Sequence, residues 1–143
     1  MSKVAVVYWS GTGNTAAMAD YVISGIKEAG AEASLFTASE FDSSMVEQFD
    51  AIAFGCPSMG AEQLEESEFE PMFVSCEPKL KGKKIALFGS YGWGDGEWMR
   101  NWVDQMKNAG ADVIGGEDAI CADAPDDETE AKLIELGKQL AAC

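Results

Sequence analysis

Lys3-Val4-Ala5-Val6-Val7-Tyr8-Trp9 is an apolar run, and Ser10-Gly11-Thr12-Gly13-Asn14-Thr15 follows it directly. After that come Ala19, Val22, Ile23 and Ile26 at i, i+3, i+4 and i+7, which predicts a helix over 15–29, closed by Gly30. A buried strand, a turn of small residues and a helix make a loop whose backbone N–H groups converge, with the positive end of the helix dipole behind them. Ser10, Thr12, Asn14 and Thr15 add side chains that can donate hydrogen bonds. Between Lys3 and Lys27 there is no Lys, Arg or His. An anion held here is held by neutral donors.

The chain of 143 residues is expected to form one domain, spanning 1–143, and is long enough to bury roughly 68–70% of its unfolded surface. There are 25 acidic and 10 basic residues and no His, a net charge of −15. That balance argues against nucleic acid and anionic membranes as partners and favours basic protein surfaces. No apolar run is long enough to span a bilayer, and the N-terminus lacks the features of a signal peptide, so a cytoplasmic location is expected. Cys56, Cys76, Cys121 and Cys143 show no metal-site spacing and read as reduced thiols, the first three buried in the core. No metal ligands are expected.

Farther along, 31–37 reads as a weak strand and 39–49 as a short helix with Phe41, Met45, Val46 and Phe49 inward. Residues 50–56 read as a second buried strand. A helix follows within 64–76, with Ser67 as its N-cap and Pro71 in its first turn. Lys79, Lys81, Lys83 and Lys84 form a solvated connection into a third buried strand at 85–90. Asp95 is placed to cap a helix carrying Trp98, Trp102, Val103 and Met106. The last strand is expected in two pieces, 111–114 and 119–121, interrupted at Gly115-Gly116. Pro125 and Asp126-Asp127-Glu128 open a final helix with Leu133, Ile134, Leu136 and Leu140 buried. Strand and helix alternate, and the strands are continuously apolar, as strands covered on both faces are. The class is α/β with a parallel sheet, and ligands of such sheets sit beyond the carboxyl ends of the strands.

Two strands end in related loops. Phe54-Gly55-Cys56-Pro57-Ser58-Met59-Gly60 parallels Phe88-Gly89-Ser90-Tyr91-Gly92-Trp93-Gly94. On adjacent strands, Met59 and Trp93 would form the walls of a slot for a planar ring; the alternative is that both are ordinary core residues. A phosphate loop and an aromatic slot together suggest a ligand with a phosphate and a planar ring. The loop lacks the Lys of a Walker loop, and Gly11, Gly13 and Ala16 meet a dinucleotide fingerprint without its acidic residue, since Phe36-Thr37-Ala38 stands there.

Tyr8-Trp9-Ser10-Gly11-Thr12-Gly13-Asn14-Thr15, the Met59-Gly60 loop and 86–94 resemble a flavodoxin of the short-chain type, over essentially the whole chain. The resemblance implies a three-layer αβα sandwich with a five-stranded parallel sheet in the order 2-1-3-4-5, binding FMN. It implies that Ser10, Gly11, Thr12, Gly13, Asn14 and Thr15 hold the FMN phosphate, with Trp9 and Ser90 beside it. Met59 and Trp93 would flank the isoalloxazine, with Pro57, Ser58, Ala61, Tyr91, Gly92 and Gly94 completing the two ring loops. The Gly60 peptide would turn over on reduction so that its carbonyl accepts from flavin N5–H, and Glu62 would accept from N3–H. The chain departs from the family pattern at Ala61, where a small or polar residue is common, and at Ala122-Asp123-Ala124, where polar side chains are common.

The implied function is a low-potential one-electron carrier, monomeric, with no catalytic residue and no substrate of its own, shuttling between redox proteins that dock transiently through basic surfaces. At ~10 Å and an effective dielectric of 20 to 80, each carboxylate costs a reduced, anionic ring about 0.4–1.7 kcal/mol, and about 1.4 kcal/mol is about 59 mV for one electron. Glu62, Glu65, Glu66, Glu68 and Glu70 lie near the expected ring edge and are candidates to steer basic partners. The rival readings are a small FMN-dependent NAD(P)H quinone reductase and a phosphate-sensing binding module. Against the first, Arg100 is the only Arg available for a nicotinamide cofactor's phosphates.

Overall fold

Val4, Ala5, Val6 and Val7 are fully buried, and the rest of the molecule is layered on them. The computed structural model describes residues 3–9, 13–58, 65, 67–91, 96–117, 119–122 and 125–142. The elements run β1 (Lys3–Tyr8), α1 (Asn14–Glu28), β2 (Glu32–Thr37), β3 (Ala51–Gly55), α2 (Phe69–Cys76), β4 (Lys84–Tyr91), α3 (Glu97–Asn108), β5 (Asp112–Val113), β6 (Ile120–Ala122) and α4 (Asp127–Ala141). The strands pair in parallel in the order β2-β1-β3-β4-β5, the order that the resemblance implied. The fifth position is split as expected. β5 pairs with Lys84 and Ile85, and β6 pairs with Gly89, Ser90 and Tyr91 of the same strand.

The strands are apolar throughout because each face is covered. Val4, Val6, Ala51, Ala53, Ala86 and Phe88 meet α1 and α4, while Ala5, Val7, Ile52, Phe54, Ile85 and Leu87 meet α2 and α3. Each fully buried Val, Ile or Leu side chain is worth about 1.5–3 kcal/mol, so these alternating rows drive sheet formation. Cys56, Cys76 and Cys121 are buried thiols within the same layers; Cys143 lies outside the described residues. Lys84 pairs with Asp112 and Lys83 Nζ donates to the Phe49 carbonyl, so two of the four clustered lysines are tethered.

The helix expected over 39–49 is instead two 3-10 segments, Ala38–Glu40 and Ser43–Gln48. Phe41 and Phe49 are extended, at φ −117°, ψ 142° and φ −120°, ψ 147°. The apolar spacing was right about which side chains go inward: Phe41 and Phe49 are buried and their rings lie 6.3 Å apart. Asp42 interrupts the helix by accepting from the Ser44 N–H at 2.9 Å, which starts a new turn.

α1 and α4 touch backbone to backbone. A Cβ on Gly25 would lie 1.9 Å from the Ile134 carbonyl oxygen, and one on Gly137 would lie 2.2 Å from that of Val22. Gly25→Ala should therefore force the helices apart and lower stability by about 1–3 kcal/mol. In urea unfolding the midpoint should fall with little change in slope; an unchanged midpoint would contradict the packing described.

Candidate functional site

The carboxyl ends of β1, β3 and β4 come together in register, and strand-type bonding continues beyond them. The Trp9 N–H donates to the Gly55 carbonyl at 3.0 Å, that of Cys56 to Phe88 at 3.1 Å, and that of Ser58 to Ser90 at 3.0 Å. Three connections therefore leave one edge: 9–13 from β1, 56–68 from β3 and 91–96 from β4. Gly89 is needed for this convergence, since a Cβ there would sit 2.1 Å from the Cys56 carbonyl oxygen.

α1 opens at Gly13, which takes the left-handed conformation at φ 95°, ψ −10° and has no side chain with which to cap the first turn. Gly is the residue suited to this φ, and among the described residues no atom lies within 4 Å of where its Cβ would point. The first-turn N–H groups of a helix need partners from outside it, and together with the dipole they favour an anion. Next to them, the buried Thr15 Oγ1 and Ser90 Oγ lie 3.1 Å apart, joining α1 to the end of β4. One hydroxyl donates to the other, which leaves the second O–H to donate outward. Tyr8, Trp9, Gly13, Ala16, Thr37, Ser39 and Glu68 line a cleft of about 420 Å³ at this edge. A larger one, about 620 Å³, lies against α4, lined by Gly115, Lys132, Glu135 and Gln139 among others.

Of the residues singled out from sequence, Trp9, Gly13, Asn14, Thr15, Pro57, Ser58, Ser90 and Tyr91 all lie on this edge. Trp9, Asn14, Pro57, Ser58 and Tyr91 are half-buried, and Gly13 is exposed. Ser10, Gly11, Thr12, Met59, Gly60, Ala61, Glu62, Gly92, Trp93 and Gly94 lie outside the described residues, as do Asp123 and Ala124. The donor set that is described, neutral N–H and hydroxyl groups at a left-handed glycine, fits the phosphate of a nucleotide-like cofactor such as FMN.

Two residues that support this edge were not recognised in the sequence. Trp98 is buried, donates its indole N–H to the Cys56 carbonyl at 3.3 Å, and packs at 5.5 Å from the Tyr91 ring. Glu65 was grouped with the partner-steering acids, but it is 6% exposed and turned inward. Its carboxylate accepts from the N–H groups of Ser67, Glu68 and Phe69, at 2.8, 2.7 and 2.9 Å, and from the Ser67 hydroxyl. The N-cap position of α2 is Glu68 and not Ser67, whose own groups act as donors to Glu65. The Glu65 carboxylate takes the first helical N–H, that of Phe69, together with the two N–H groups that lead into it. For α3 the N-cap position is Gly96, at φ 89°; Asp95, expected to cap this helix, lies outside the described residues.

Burial disfavours the ionised Glu65 side chain, but the hydrogen bonds from Ser67, Phe69 and Glu68 outweigh it and hold the carboxyl down at about 2, against an ordinary 4.5. Because the folded value is the lower one, Glu65 stabilises the fold fully above pH 4.5 and loses that contribution as pH falls through about 2. Glu65→Gln should lower stability at neutral pH and flatten the acid limb of the stability–pH curve in that window. An acid limb superimposable on that of the parent would contradict the hydrogen bonding described.

The flavodoxin family model matches residues 6–135. A flavodoxin from Megasphaera elsdenii is 49% identical over 138 residues, covering 96% of this chain and 98% of that protein. One from Clostridium beijerinckii is 44% identical over 136 residues, covering 95% and 97%. The solution structure of two-electron reduced Megasphaera elsdenii flavodoxin superposes with a TM-score of 0.86 at 44% identity, over 98% of this chain and 99% of that one.

Proposed function

The chain belongs to the flavodoxin family, the FMN-binding electron carriers, and from that premise we propose that it works as a low-potential one-electron carrier between redox proteins, with no substrate of its own. The observation that carries this reading is the α1 N-terminus opened by Gly13 beside the buried Thr15–Ser90 hydroxyl pair, at the edge where β1, β3 and β4 end together. When bound, FMN supplies the redox chemistry, and the protein around it sets the potential.

In this reading residues 1–143 act as one monomeric, cytoplasmic domain. Residues 10–15 and Ser90 orient the phosphate through neutral donors. Met59 and Trp93 would cover the ring, the Gly60 carbonyl would accept a hydrogen bond from N5–H, and Glu62 would accept one from N3–H. Holding a phosphate through neutral donors would leave no cation at the phosphate itself to offset an electron added to the ring. The net charge of −15 acts in the same direction, which supports a strongly reducing second step. Glu68 and Glu70 are exposed and stand beside the cleft edge or at the start of α2. They favour brief docking on basic partner surfaces.

The purified protein should be yellow, or should become so on adding FMN. Dithionite titration should then proceed in two separate one-electron steps. A protein that takes up no flavin would favour the phosphate-sensing reading. Steady-state NADPH oxidation by the isolated protein would favour the quinone reductase.

A further inference from the structure

The connection between β3 and α2 is fastened at both ends to itself and to the core. At its start, the Cys56 N–H donates to the Phe88 carbonyl at 3.1 Å, and the Cys56 carbonyl accepts from Trp98 Nε1 at 3.3 Å. At its end, the Glu65 carboxylate gathers the N–H groups of residues 67–69, and the Glu65 carbonyl accepts from the Glu70 N–H at 2.9 Å. The two anchors meet, since the Glu65 N–H donates to Cys56 Sγ at 3.3 Å. Phe69, whose N–H feeds Glu65, is itself fully buried, 5.5 Å from the Trp102 ring and 5.9 Å from that of Phe73. The clip is built into the apolar layer and does not hang from the surface.

We propose that the Cys56–Glu65 clip is a positioning device for FMN: it closes the ends of the β3–α2 connection before the cofactor arrives, so that Pro57 and Ser58 are presented in a restricted arrangement. The proposal rests on the FMN reading. Neither residue is needed to touch the cofactor. An open connection would have to be ordered at the moment of binding, and that ordering cost would be subtracted from affinity. A connection closed in advance carries most of the cost in folding. Glu65 is thereby assigned to orienting the ring-side loop and removed from the set of acids that face a partner.

The test is FMN binding to the apo-protein, followed by reductive titration of the loaded protein, for Cys56→Ala and Glu65→Gln beside a remote core control, Ile26→Val. Cys56→Ala removes the sulfur acceptor without changing charge, so any change in potential it causes is not a charge effect. Both clip variants should bind FMN at least tenfold more weakly, and in the loaded Cys56→Ala protein the gap between the two one-electron steps should narrow. Ile26→Val should lower thermal stability while leaving affinity within twofold and the gap unchanged. Affinities of both clip variants within twofold of the parent, with an unchanged gap, would overturn the proposal while the FMN reading stood. A parent chain that takes up no flavin overturns both. In the unmodified apo-protein the Glu65 and Phe69 amides should already exchange slowly with solvent. Exchange at the rate of an open loop would overturn the clip independently of any variant.

Discussion

A helix that begins on a glycine with no side chain to cap it leaves its first-turn N–H groups dependent on something outside the helix. In this chain that helix is α1, with Gly13 at its N-cap, following the interior strand β1, whose two neighbours, β2 and β3, pair along its length. The sheet cannot shift to cover the opening, because Val4 to Val7 are locked on both faces. Nothing basic lies in the surrounding sequence from Val4 to Ile26. The fold thus fixes a helix N-terminus with no basic residue in the adjoining sequence, and the carboxyl ends of β3 and β4 lie at the same edge.

Neutral anchoring has a consequence at the other end of such a ligand. A lysine or arginine on the phosphate would also have stabilised negative charge elsewhere on the cofactor, since Coulomb interactions at ~10 Å still amount to about 0.4–1.7 kcal/mol. In the proposed reading, leaving the site without one would separate binding from redox tuning: N–H and O–H groups would hold the phosphate at short range, and the acidic surface would act on the ring at longer range. The same economy appears at α2, where a carboxylate takes the first helical N–H and is buried by the donors it satisfies.

Much of the fold was legible because β1, β3 and β4 are unbroken apolar runs that no other element explains. The interruption of the last strand was readable from Gly115-Gly116. The stretch 39–49 was misread because the spacing of Phe41, Met45, Val46 and Phe49 suits one face of a helix, and tight turns around Asp42 bury the same side chains. In the site, Ser10 to Thr15 stood out by composition, and the structure places Gly13, Asn14 and Thr15 at the described edge. The Thr15–Ser90 contact joins residues 75 apart, which no local pattern reveals. Glu65 was hidden among its neighbours, since Glu65-Glu66-Ser67-Glu68 looks like a solvated run. Ser67, a residue type favoured at N-caps, lies between Glu65 and the first residue of the helix, so the local pattern points to the serine and not to the acid.

The most direct check is to follow backbone amide resonances while FMN is titrated into the apo-protein. The account predicts that the largest shifts fall on Gly13, Asn14, Thr15, Ser58, Ser90 and Tyr91, on three separate connections of one sheet edge. Shifts centred instead on Gly115, Lys132 and Glu135, at the larger cleft against α4, with residues 13–15 unmoved, would contradict it.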